Sequence, residues 1–121
     1  MNNMISLLDS PAYVFLDEFN GKRSISLNRI HRRSGRRSKI CTISCNLPEH
    51  EFHDYERTGG DNATEARLGV ENGIYATIID GGITAGLFNT LASAGIVKDT
   101  GHVLKYVGFT VNVADISQVP A

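Results

Sequence analysis

The pair Asn20-Gly21 constrains this chain most. An Asn-Gly dipeptide supplies the positive φ angles of a type I′ turn, whose twist matches paired antiparallel strands. Before it runs AYVFLDEF (12–19), β-branched and aromatic. After it runs KRSISLNRI (22–30), with Ile25 and Leu27 on one face and Ser24, Ser26 and Asn28 on the other. A tight hairpin is the expectation. A second break, RRSGRRS, centres on Ser34-Gly35 and leads to a third strand over 38–46. Pro48 ends that strand, because proline has no N–H to give a ladder. Three such strands in succession make an antiparallel meander.

The third strand carries both cysteines, and alternation sets Cys41, Ile43 and Cys45 on one face with Thr42 and Ser44 on the other. Four residues of extended chain span roughly 13 Å, well beyond the ~7 Å reach of a disulfide between Cα atoms. Two core thiols on the inner face, in a reducing compartment, follow.

From Glu49 to Asn72 the chain turns polar and acidic. Ala63–Leu68 has room for one or two helical turns capped by Asn62 or Thr64, and Gly73 precedes a short buried strand, IYATIID. The main helix is expected over 83–94, with Ile83, Leu87, Leu91 and Ala94 on one face and Phe88 alongside. Asp80 or Thr84 caps its start, and Gly95 closes its end in the left-handed conformation. Asp99-Thr100-Gly101 reads as a turn, and HVLKYVGFTVNVADI (102–116) as one long last strand bulged at Gly108. A long edge strand near that end offers a route to a dimer.

These elements make an α+β domain: an antiparallel meander sheet with one main helix packed on one face. A length of 121 residues, 41% apolar and 21% charged, fits one domain over 1–121 with a single core. Within it, 1–11 is a flexible lead-in, 31–38 a basic hairpin tip, and 49–72 an acidic connection. No run reaches the ~18 apolar residues a bilayer crossing takes. MNNMISLLDSP lacks the features of a secretory signal. The expectation is a cytoplasmic protein with no membrane partner.

Net charge is −1, yet the charges are segregated. Eight of the 12 basic residues lie between Lys22 and Lys39 with no acid among them. Seven of the 13 acids lie between Glu49 and Glu71, against Arg57 and Arg67 only. The basic candidates are Arg29, Arg32, Arg33, Arg36, Arg37 and Lys39, whose arginine forks suit phosphate or carboxylate. They read as a cationic finger for nucleic-acid backbone or an acidic partner surface, or else as a solvated loop that neutralises the chain's own acids. No aromatic is interleaved for base stacking. The acidic candidates are Glu49, Glu51, Asp54 and Glu56, which would imitate nucleic-acid phosphates in a host protein's channel.

Catalytic and metallic patterns are sparse. His50 and His53 beside Asp54 have the spacing of a metal pair without the H-E-x-x-H form or an evident third ligand. Gly81-Gly82 before a helix lacks the P-loop lysine and the G-x-G-x-x-G spacing. No serine stands in a G-x-S-x-G elbow. A binding protein rather than an enzyme, without cofactor or metal, is expected.

The strand ending CTISCNLPE, then YATIIDGG, a helix, LASAGIVKDTG and VGFTVNV together resemble a domain-of-unknown-function family of small phage, plasmid and conjugative-element proteins. The matching positions are Asn46, Leu47, Pro48, Asp80, Gly95, Thr100, Gly101, Gly108 and Phe109, over residues 15–113. The family's usual Tyr-Pro near the end is missing, and the 49–72 connection is longer than usual. The resemblance implies a mobile-element accessory protein with no assigned catalytic residues. By analogy of genomic company it implies an anti-CRISPR-type inhibitor that binds a host protein or ribonucleoprotein complex. LFNTLASAGIVKDTGHVLKYVGFTV also looks like the recognition helix and wing of a winged-helix domain. Two features oppose that likeness: strand-like sequence precedes it, and the helix has no Arg or Lys for a groove. The alternative function is therefore a direct nucleic-acid binder or transcriptional regulator.

Overall fold

A computed structural model describes residues 3–19, 21–45, 62–106 and 108–121. It is α+β, with two antiparallel sheets and two helices. The first sheet is a four-stranded meander in the order β1-β2-β3-β4: β1 (Met4–Leu7), β2 (Ser10–Phe19), β3 (Lys22–Ile30) and β4 (Arg37–Thr42). Phe19 pairs with Lys22 and Gly21 has φ 76°, so β2 and β3 form the tight hairpin expected. Part of the stretch read as a flexible lead-in is β1, paired to β2 from Met4↔Tyr13 to Leu7↔Ser10. Its turn, Leu8-Asp9, carries positive φ at both residues (50° and 64°), which suits Asp9 but is unusual for Leu8.

The inner face of this sheet supplies Ile5, Ala12, Val14, Ile25 and Leu27 to the core. The opposite face is not simply wet, because Ser24, Ser26 and Asn28 are buried too. Asn28 satisfies its amide by donating to Ser26 O and Ser26 Oγ at 3.1 and 3.0 Å. Between β3 and β4 the register slips: Leu27 faces Cys41, Asn28 faces Lys39, and Ile40 is the surplus residue. That bulge reverses the phase of β4, so Cys41 points inward while Lys39 and Arg37 lie on the outer face.

β4 ends at Thr42, four residues short of the expectation, because the chain then crosses to the second sheet. Ile43 N–H still donates to Ile25 O at 2.9 Å, whereas Cys45 N–H donates to Thr77 O at 2.8 Å. The cysteines therefore do not share one core face. Cys41 packs against the core between the sheets, Cys45 against a separate cluster, and both are half-buried free thiols.

After α1 (Asn62–Glu71) the second sheet has the order β5-β7-β6: β5 (Tyr75–Asp80), β6 (Lys98–Tyr106) and β7 (Phe109–Asp115). The long final strand of the sequence reading is two strands. Gly108, at φ 82°, belongs to the turn between them, where Tyr106 pairs with Phe109. The bulge falls instead at Asp99–Val103, built by the Asp-Thr-Gly triplet: Thr100 Oγ1 donates to Val113 O at 2.7 Å and Gly101 N–H to Asp99 Oδ1 at 2.9 Å. β7 is thus the central strand, and β5 and β6 form the two edges of this sheet.

The expected helix over 83–94 is broken. Gly82–Thr84 is a single 3-10 turn, Gly86 is left-handed at φ 72°, and α2 spans Leu87–Ser93. Thr84 Oγ1 donates to Ile79 O at 2.6 Å and Asp80 Oδ1 accepts Gly86 N–H at 2.9 Å, folding the entry back on β5. Ile83 consequently faces solvent, 86% exposed, while Phe88 and Leu91 stay in the core and Gly95 closes the helix at φ 75°.

Two clusters hold the molecule. The larger lies between the two sheets and includes Val14, Ile25, Ile78, Leu91, Ala114 and Ile116. The smaller lies under α1 on the far face of the second sheet, with Ala66 and Val70 against Leu104, Val111 and Val113. Among the described residues no helix is long and apolar enough to cross a membrane.

Candidate anion-binding interface

The loop between β3 and β4 is short and internally tied. His31 N–H donates to Arg36 O at 2.8 Å and Gly35 N–H to His31 O at 2.9 Å, with Gly35 left-handed at φ 69°. Ser34 Oγ lies 3.2 Å from His31 Nδ1 and accepts Arg36 N–H at 3.2 Å. Six residues between paired strands thus carry their own bonds, which fixes where their side chains leave the backbone.

The six basic candidates divide in two. Arg29 donates through Nη1 to Pro11 O at 2.9 Å and through Nη2 to Leu7 O at 3.4 Å, lacing the β1–β2 hairpin to β3. Arg37 lies over the Phe15 ring, 3.5 Å from its centroid, and reaches Ala121 O at 3.4 Å. Lys39 Nζ pairs with Asp17 Oδ2 at 2.9 Å, and that hydrogen bond is the main reason the Asp17 carboxyl sits below its ordinary pKa. These three cations are employed by the fold.

Arg32, Arg33 and Arg36 are exposed and make no ion pair with the described residues. With His31 and Ser34, Arg32 and Arg36 border an open concavity of about 800 Å³. Three planar guanidinium forks on one loop have the geometry for bidentate contact with carboxylate or phosphate oxygens. The acidic candidates Glu49, Glu51, Asp54 and Glu56, together with His50 and His53, lie outside the described residues.

A second polar cluster had no signal in the sequence. On the α1 face of the second sheet, His102 is 5% exposed, with Nε2 3.5 Å from Glu65 Oε2 and Nδ1 without a partner among the described residues. The Tyr75 ring lies 6.2 Å away, and burial, then Glu65 and Asp115, push its phenol up. Cys45 bonds to Thr77, whose hydroxyl donates to Cys45 O, and burial raises the thiol's pKa, so it stays protonated. Among the described residues no three His, Cys, Asp or Glu side chains converge as a metal would require. Compared with family models, curated proteins and solved structures, the chain finds no match.

Proposed function

We propose that this chain is a non-catalytic binding protein whose β3–β4 tip grips the phosphate backbone of a nucleic acid. The observation that carries the reading is the division of the cations. Arg29, Arg37 and Lys39 have partners within the fold, whereas Arg32, Arg33 and Arg36 stand together on an internally bonded loop with no ion pair among the described residues. Among the described residues no carboxylate takes up these forks. With no aromatic in the loop to stack on bases, the grip is electrostatic and tolerant of sequence. The cellular role we propose, in keeping with the resemblance to mobile-element accessory proteins, is interference with a host ribonucleoprotein of the anti-CRISPR kind. Such a complex presents the same phosphates.

The test is a salt titration of binding to a short duplex, a single-stranded DNA and an RNA. Binding is expected at low salt and should weaken steeply as salt rises. Replacing Arg32, Arg33 and Arg36 together by alanine should abolish it, and each single replacement should flatten the log–log salt slope by about 0.9 on duplex. Failure of all three ligands to bind at low salt would overturn the proposal.

A further inference from the structure

The meander places the β1–β2 turn and the β3–β4 tip at the same end of the first sheet, with the β2–β3 turn at the other. Arg29 holds these two loops in fixed relation through its bonds to Leu7 O and Pro11 O. Within that turn, Leu8 is 90% exposed and left-handed at φ 50°. A leucine there is disfavoured twice. Its Cβ crowds the backbone in that conformation, and its side chain adds nothing to the core. Asn or Gly would make the same turn without either cost. An outlier of this kind, at the same end of the sheet as three arginines with no ion pair among the described residues, points to use of the side chain.

We infer that Leu8 is an apolar wedge that enters a duplex between base pairs while Arg32, Arg33 and Arg36 hold the flanking phosphates. This rests on the phosphate-gripping reading above and names its ligand as a deformable duplex. Proteins that lay arginines along a minor groove insert leucine, isoleucine or phenylalanine at a base step and unstack it. The other candidate surfaces fit less well. One leucine offers far less chain than a single myristoyl group, whose membrane binding is itself marginal. Leucine is also under-represented among the side chains that anchor protein–protein interfaces. Asp9, the turn's second residue, opposes phosphate, so the three guanidinium groups supply the attraction and Leu8 the insertion.

The experiment compares the parent chain, Leu8→Asn, Leu8→Ala and the triple arginine variant on an AT-rich duplex carrying aminopurine. Leu8→Asn is expected to melt no lower than the parent, since asparagine tolerates the left-handed conformation. It should nevertheless bind roughly 10- to 100-fold more weakly, the equivalent of one unburied leucine, and lose the fluorescence gain of unstacking. Its salt slope should be unchanged, whereas the triple variant loses binding altogether. Leu8 variants that bind and unstack like the parent, while the triple variant fails, would overturn the wedge and leave the arginine reading intact. Binding to phosphatidylserine-containing vesicles that depends on Leu8, with duplex binding that does not, would overturn it in favour of a membrane surface. If the parent binds no nucleic acid at low salt, both readings fall.

Discussion

Asp17 and Lys39 meet at 2.9 Å on the outer face of the first sheet, and the lowered carboxyl pKa gives their pairing a pH signature. A carboxyl that is more acidic folded than unfolded contributes stability above its unfolded pKa, ordinarily 3.8. That contribution disappears as pH falls through the lower, folded value. Because both side chains are partly exposed, the pair is worth about 0.2–1 kcal/mol. Asp17→Asn should cost that much in urea denaturation near neutral pH. The gap to the parent should close below the depressed pKa and narrow in high salt. A gap that persists in strong acid would assign the loss to something other than the ion pair. Single residues were also the hardest to place from the sequence: six cations look alike there, and the surplus Ile40 sets Arg37 and Lys39 on the face of Phe15 and Asp17.

Among the elements, α1 seats on the second sheet through a glycine. A Cβ at Gly69 would stand 2.1 Å from Tyr75 Cδ2, so the ring occupies the space a side chain would fill. Alanine favours a helix over glycine by about 1 kcal/mol, yet overpacking here should cost more, for a net loss of about 1–3 kcal/mol. Trimming Tyr75 to valine in the Gly69→Ala background should recover part of that loss in a double-mutant cycle; strict additivity would disprove the clash. The elements that could be read from sequence had local causes, such as Asn20-Gly21 for the first hairpin, Ser34-Gly35 for the basic loop and Gly95 for the end of α2. Those misread depended on strand pairing and side-chain hydrogen bonds that no residue pattern announces. Leu8-Asp9 is a turn because β1 pairs across it, and the helix expected from Ile83 breaks because Asp80 and Thr84 fold its entry back onto β5. The Asp-Thr-Gly triplet is a bulge rather than a turn because β6 continues along β7.

At the scale of the molecule, the two sheets do not own separate interiors. Leu91 of α2 and Ile78 of β5 are fully buried in the same cluster as Val14 and Ile25 of the meander. Leu91→Ala should therefore cost about 2–5 kcal/mol and weaken both sheets together. Unfolding followed by far-ultraviolet circular dichroism and by tyrosine fluorescence should give superimposable transitions; two separated transitions would mean the sheets fold independently. Sequence periodicity could not reveal this shared interior. The bulge at Ile40 then acquires a wider meaning. It is a parity device on a surface edge: were Ile40 paired with Asn28 instead of extruded, Lys39 would stand opposite Arg29, and both Lys39 and Arg37 would turn to the other face of the sheet.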